Sequence, residues 1–150
     1  MSQSLVKNYI QIIFSTKHRL PIIDEAIEHE LHSYLGGICK KLDCQPIKIN
    51  GYYDHVHILC MLFKKITLIK LLEEVKSDSS RWIKTRSPVY SIFYWQDGYG
   101  GFSVTPDQVD NVIEYISNQK EHHKTISFQD EYRTLIKQFN VPYDERYVWN

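Results

Sequence analysis

The run Asp54-His55-Val56-His57-Ile58-Leu59-Cys60 constrains this chain more than any other. Apolar and β-branched residues dominate it and its continuation, so Asp54 to Phe63 reads as a strand. Successive side chains of a strand point to opposite faces. His55 and His57 therefore share one face. Val56, Ile58, Cys60 and Leu62 share the other, which has the character of a core face. Leu59, Met61 and Phe63 continue the histidine side, so the strand is apolar on both faces and belongs in the middle of a sheet. Two neighbouring imidazoles on a rigid strand are half of a metal site. Two half-buried histidines on a sheet surface are the plainer reading of the same spacing.

The flanking segments supply the sheet. Val6 to Phe14 reads as a first strand, and Asp24 to Leu42 as a helix with Asp24 as N-cap and Gly36-Gly37 weakening its second half. Gln45 to Tyr53 reads as a second strand, turned tightly into the histidine strand through Gly51 to Asp54. Thr67 caps a second helix carrying Leu68, Leu71, Leu72, Val75 and Trp82, which ends before Pro88. Ser91 to Val104 reads as strand, turn, strand. Thr105 and Pro106 open a third helix that runs to about His123. Ser127 caps a last one to about Phe139, with the Ser127-x-x-Asp130 form of a capping box. The order strand, helix, strand, strand, helix, strand predicts an α+β, ferredoxin-like (split βαβ) antiparallel sheet, with a helix near the C-terminus carrying Tyr115. The first and histidine strands then lie side by side in its centre. At this length residues 1–150 form a single domain.

The third helix holds what the histidines lack. Val109, Val112, Ile113 and Ile116 form its apolar stripe, and Tyr115 and Gln119, one turn apart, stack beside it. His55, His57 and the Gln119 amide oxygen make three neutral ligands for a divalent metal, Mg2+ or Mn2+. A phenol beside such an ion suits attack on a phosphodiester. An ordinary core-edge tyrosine is the plainer reading of Tyr115. His122 and His123 fall outside this ligand set, in supporting or DNA-facing positions.

Charge and composition frame the substrate. Eighteen acidic residues balance eighteen basic ones, which counts against nucleic acid unless the charge is segregated. It is segregated between Lys64 and Arg86. There Lys64, Lys65, Lys70, Lys76, Arg81, Lys84 and Arg86 face only Glu73, Glu74 and Asp78. This is a solvated helix face or, beside a phosphodiester site, a contact to a DNA backbone, to which Ser77, Ser79 and Ser80 add hydrogen bonds. Trp95, Tyr99 and Phe102 either stack on unpaired bases or pack the sheet. Cys39, Cys44 and Cys60 are odd in number and not closely paired, and read as reduced thiols. Met1-Ser2-Gln3-Ser4-Leu5 lacks a basic start and a long apolar run, and no stretch approaches a membrane span, so a cytoplasmic protein is expected.

His55-Val56-His57 is the histidine-hydrophobic-histidine signature. With Trp95-Gln96-Asp97-Gly98-Tyr99 and Tyr115-Ile116-Ser117-Asn118-Gln119-Lys120-Glu121-His122-His123, it resembles the single-tyrosine transposases of bacterial insertion sequences that move as single-stranded DNA. The resemblance runs from the first strand to Tyr132. It implies that His55, His57 and Gln119 hold the metal. It implies that Tyr115 attacks the DNA, forming a 5′-phosphotyrosine link and releasing a 3′-hydroxyl. It also implies single-stranded DNA hairpins as partners. The assembly it implies is a homodimer with composite sites, the tyrosine helix of one subunit serving the histidine pair of the other. Three alternatives remain at this level. A domesticated relative that processes chromosomal repeat hairpins would share every catalytic residue. A non-catalytic single-stranded nucleic-acid-binding module would use the same sheet topology. A metal-dependent phosphoesterase that uses water would leave Tyr115 dispensable.

Overall fold

A computed structural model describes residues 2–150. Four strands, β1 (Tyr9–Ser15), β2 (Gln45–Tyr52), β3 (His55–Met61) and β4 (Gly100–Val104), pair antiparallel in the order β2-β3-β1-β4. The alternation in β3 decides this order. A strand apolar on both faces must be covered on both, and β3 is central beside β1, as the sequence predicts.

Two helical layers cover the two faces. Helix α1 (Glu25–Lys41) and helix α2 (Leu68–Lys84) lie on the face of Ile10, Ile12, Phe14, Val56, Ile58 and Cys60. Asp24 and Thr67 cap them, accepting from the backbone N–H of Ile27 and Lys70. All three cysteines are buried free thiols. The histidine face is covered by α3 (Val109–Ser117), α4 (Gln119–His122) and α5 (Phe128–Gln138). There Ile116 packs on Leu59 and Val104, while Phe128, Tyr132, Leu135 and Ile136 pack on Ile13 and Phe102. Burying each such side chain contributes about 1.5–3 kcal/mol.

The structure departs from the sequence reading in three places. Residues 91–98 form no ladder strand beyond a single bridge from Trp95 to Thr16. The Phe93 and Trp95 rings turn into the core, Phe14 meeting Trp95 edge-on at 4.8 Å, and the chain bends where Lys76 gathers the carbonyls of 96–98. The third helix is not continuous: Pro106–Gln108 is a single 3-10 turn, α3 starts at Val109, and Asn118 breaks the helix before α4. Phe63, beyond the end of β3, packs with the α1–α2 layer rather than on the histidine side.

Candidate active site

The β2–β3 hairpin sets the histidines. Gly51 faces Val56 across it so closely that a Cβ would stand 2.2 Å from the His55 carbonyl oxygen, so only glycine fits. The turn that follows places His55 at the first position of β3. Both imidazoles are fully buried, with ring centroids 5.2 Å apart. Each ring is oriented through Nδ1. His55 donates to the Asp54 carboxylate at 2.7 Å, which leaves Nε2 pointing inward. His57 Nδ1 lies 3.2 Å from the Gln11 amide nitrogen, and a flip of that amide supplies the acceptor that a metal-bound Nε2 requires.

Three helices bring the remaining groups. The Gln119 amide oxygen lies 2.9 Å from His55 Nε2, and its nitrogen donates to Glu131 Oε2 at 2.9 Å. Glu131 Oε1 lies 3.4 Å from His55 Nε2 and 3.1 Å from His57 Nε2. The Tyr115 hydroxyl donates a short hydrogen bond to Glu131 Oε2, and its ring centroid is 5.9 Å from that of His57. One carboxylate thus joins the histidine pair to the tyrosine. His55, His57, Gln119 and Tyr115 all lie together here. Tyr115 and Gln119 do so across the break at Asn118, not as neighbours on one straight helix.

Glu131 is the group that sequence reading missed. Its signal was present: it sits among Phe128, Tyr132, Leu135 and Ile136, an acid on the apolar face of an amphipathic helix. An acid there must find partners, and this one finds histidines. Burial opposes its charge, but the hydrogen bonds of His123, His55 and His57 hold the carboxyl far below the usual range. Burial likewise opposes a charge on His55, yet Asp54 and Glu131 raise its pKa to about 9. Burial lowers that of His57. Burial, reinforced by the Glu131 charge, raises that of Tyr115.

The donor set fits a divalent ion. Donor atoms of His55, His57 and Glu131 lie within 4.8 Å of one another, and Gln119 Oε1 stands beside them. His55 Nε2 faces two oxygens, Gln119 Oε1 and Glu131 Oε1, an arrangement that is satisfied either by a ring proton or by a cation in its place. Half-buried Tyr115 is where the site reaches solvent. One groove, about 480 Å³, runs past Gln11, Gln108, Asn111, Tyr115 and Gln138, and a smaller one, about 150 Å³, passes Tyr115, His122 and Glu131.

The predicted DNA-contact residues lie elsewhere. Lys70, Lys76, Arg81 and Lys84 are on α2, in the opposite layer from the histidines. Lys76 is committed inside the protein: its ammonium donates to the carbonyls of Gln96, Asp97 and Gly98, and burial lowers its pKa to about 8. With three donors and three carbonyls, none remains for a phosphate. Ser79 is likewise buried, donating to the Val75 carbonyl and accepting from the Trp95 indole. Lys70, Arg81 and Arg86 pair with Glu74, Asp78 and Glu30, and Lys84 lies over the Tyr94 ring. Lys64 and Lys65 are exposed. Trp95 and Phe102 are buried and Tyr99 half-buried, packing the sheet.

The profile of a known family, described as "Transposase IS200 like", matches residues 4–119. The chain belongs to this family. The matched stretch contains the histidine pair, Tyr115 and Gln119, and stops short of Glu131. Two solved structures share the family fold. One, a candidate transposase from Deinococcus radiodurans, is 19% identical with a TM-score of 0.62 over 79% of this chain and 98% of that one. The other, a REP-associated tyrosine transposase bound to a REP hairpin, is 11% identical with a TM-score of 0.62 over 84% of this chain and 76% of that one. A search of curated proteins gives no match. No helix among the described residues is long and apolar enough to cross a membrane.

The sequence resemblance implied a tyrosine serving a partner's histidines. In this structure Tyr115 stands over the histidines of its own chain. Contacts within the chain hold α3 and α4 there. Asn50 of β2 donates to the Ile116 carbonyl at 2.9 Å, and Lys120 donates to the Gly51 carbonyl at 2.6 Å, pinning α3 and α4 to their own sheet on either side of Asn118.

Proposed function

We propose that this transposase cleaves and rejoins single-stranded DNA through a covalent link to Tyr115, at a divalent metal held by His55, His57, Gln119 and Glu131. The observation that carries this reading is the Glu131 carboxylate, which accepts from the Tyr115 hydroxyl on one oxygen and faces the histidine pair with the other. A divalent ion held there supplies positive charge that polarises a phosphoryl oxygen. Glu131 and Gln119 hold the phenol in place. The tyrosine oxygen gives up its proton toward Glu131 and forms a bond to phosphorus, the bond from phosphorus to the 3′-oxygen breaks, and that oxygen leaves as a 3′-hydroxyl by taking up one proton, so the proton count is unchanged. The 5′-phosphotyrosine link conserves the bond energy, so a second 3′-hydroxyl can reverse the step and join strands without ATP.

The substrate is single-stranded hairpin DNA, in keeping with the hairpin held by one structural neighbour. Lys64 and Lys65, both exposed, contact its backbone. A homodimer brings two DNA ends together. A domesticated enzyme acting on chromosomal repeat hairpins would use the same residues. Incubation with labelled single-stranded hairpin DNA and Mg2+ or Mn2+ tests this reading. A covalent adduct is expected that disappears in EDTA and in Tyr115→Phe. An adduct that survives in Tyr115→Phe removes Tyr115 as nucleophile, and cleavage that leaves no adduct favours a water-using phosphoesterase.

A further inference from the structure

His123 was set aside as a ligand by the sequence pattern, yet its side chain is only 2% exposed and lies inside the cluster. Its Nδ1 is 2.7 Å from the Ile126 carbonyl oxygen, which can only accept. The proton of a neutral ring is therefore on Nδ1, and Nε2 carries a bare lone pair. That lone pair faces two more acceptors: the Gln119 amide oxygen and Glu131 Oε1, each at 3.0 Å. The amide nitrogen of Gln119 is already spent on Glu131 Oε2, which fixes the oxygen toward the histidines. The same arrangement surrounds His55, whose Nδ1 is held by Asp54 and whose Nε2 faces the same two oxygens. The His55 and His123 rings meet at 4.5 Å. Lone pairs on nitrogen and oxygen converging at about 3 Å repel unless something positive lies between them.

On the metal reading above, we infer that His123 is a third imidazole ligand, so that the ion is held by His55, His57, His123, Gln119 and Glu131. Its Nδ1 contact to the Ile126 carbonyl is the orienting bond that metal-bound histidines characteristically make through the other ring nitrogen. The consequence is a change of metal class. Three imidazole nitrogens with one amide and one carboxylate oxygen suit a first-row transition ion such as Mn2+. Mg2+ prefers a nearly all-oxygen shell and gives up its water reluctantly.

Titration calorimetry on the full chain, without DNA, tests the assignment with Mn2+ and Mg2+ as probes. Wild type is expected to bind one Mn2+, and more tightly than Mg2+. His123→Ala is expected to weaken Mn2+ binding by about 100-fold, at least the upper end of what losing an outer partner costs. Pulsed electron paramagnetic resonance of Mn2+ in the wild-type protein gives a second readout that needs no variant. Coupling to three imidazole nitrogens is expected, and coupling to two overturns the assignment. Unchanged affinity in a folded His123→Ala also overturns it while leaving the transposase reading intact. Failure of wild type to bind either ion overturns both, and would mark the cluster as one held by protons.

Discussion

His32 on α1 has a buried Nε2 with no hydrogen-bond partner, and burial lowers its pKa to about 4 against the pull of Glu28. The unfolded chain, with an ordinary value near 6.5, binds the proton first. Stability is therefore intact above pH 6.5, falls as the pH drops toward 4, and has lost about 3 kcal/mol from this residue below that. Comparing urea midpoints of wild type and His32→Leu at pH 7 and pH 4.5 checks this: the variant is expected to lose less on acidification. Asp54 is a second residue whose effect runs through another. It fixes the His55 ring, and Asp54→Ala is expected to weaken Mn2+ binding about 10- to 100-fold while the fold persists. Calorimetry beside circular dichroism separates the two. The acid in Asp54-His55-Val56-His57 was visible in the sequence, but its contact was not, because only the hairpin turn folds it back onto the adjacent ring.

At the scale of elements, α2 shows how a charge run misleads. Its basic residues were legible as a run, but the face each one takes depends on what packs beside it. Lys76 points to the loop at 96–98, whose bend the sequence pattern did not show. Lys76→Met is expected to cost about 1–3 kcal/mol of stability by leaving the carbonyls of that loop without a donor, and to leave the salt dependence of DNA binding unchanged. Lys64→Ala with Lys65→Ala is expected to do the reverse. Stability holds, and the plot of log affinity against log salt becomes shallower by about one to two units. Denaturation and binding titrations over a range of salt check both. The break at Asn118 escaped sequence reading for a related reason. The residues from Val109 to His123 carry helical spacing throughout, while the contacts that flank the break, Asn50 to the Ile116 carbonyl and Lys120 to the Gly51 carbonyl, are made across the fold.

For the whole molecule, the sheet order and the pairing of His55, His57, Tyr115 and Gln119 could be read because alternation in β3 and spacing near Tyr115 are local patterns. Glu131 was marked as an acid on the apolar face of its helix, but its partners were not, and nothing local says that His123 turns inward. Their placement brings the histidines, the carboxylate and the tyrosine together within one chain. Mixing Tyr115→Phe with His57→Ala protein is then expected to leave strand cleavage absent, even where light scattering or labelled subunits show that dimers exchange. Restored cleavage would mean that the tyrosine crosses to a partner when DNA is bound. The order in which the parts enter the chain carries a further consequence. The histidines stand near residue 55, while the carboxylate that ties them to the tyrosine lies on the last helix, Phe128–Gln138. A chain still on the ribosome can pair its strands before that helix has emerged, but it cannot complete its cutting centre. The carboxylate is therefore the last of these groups to join the others, and a product stopped at Ile126 would keep His55, His57, Tyr115 and Gln119 but lack the acid that ties them together.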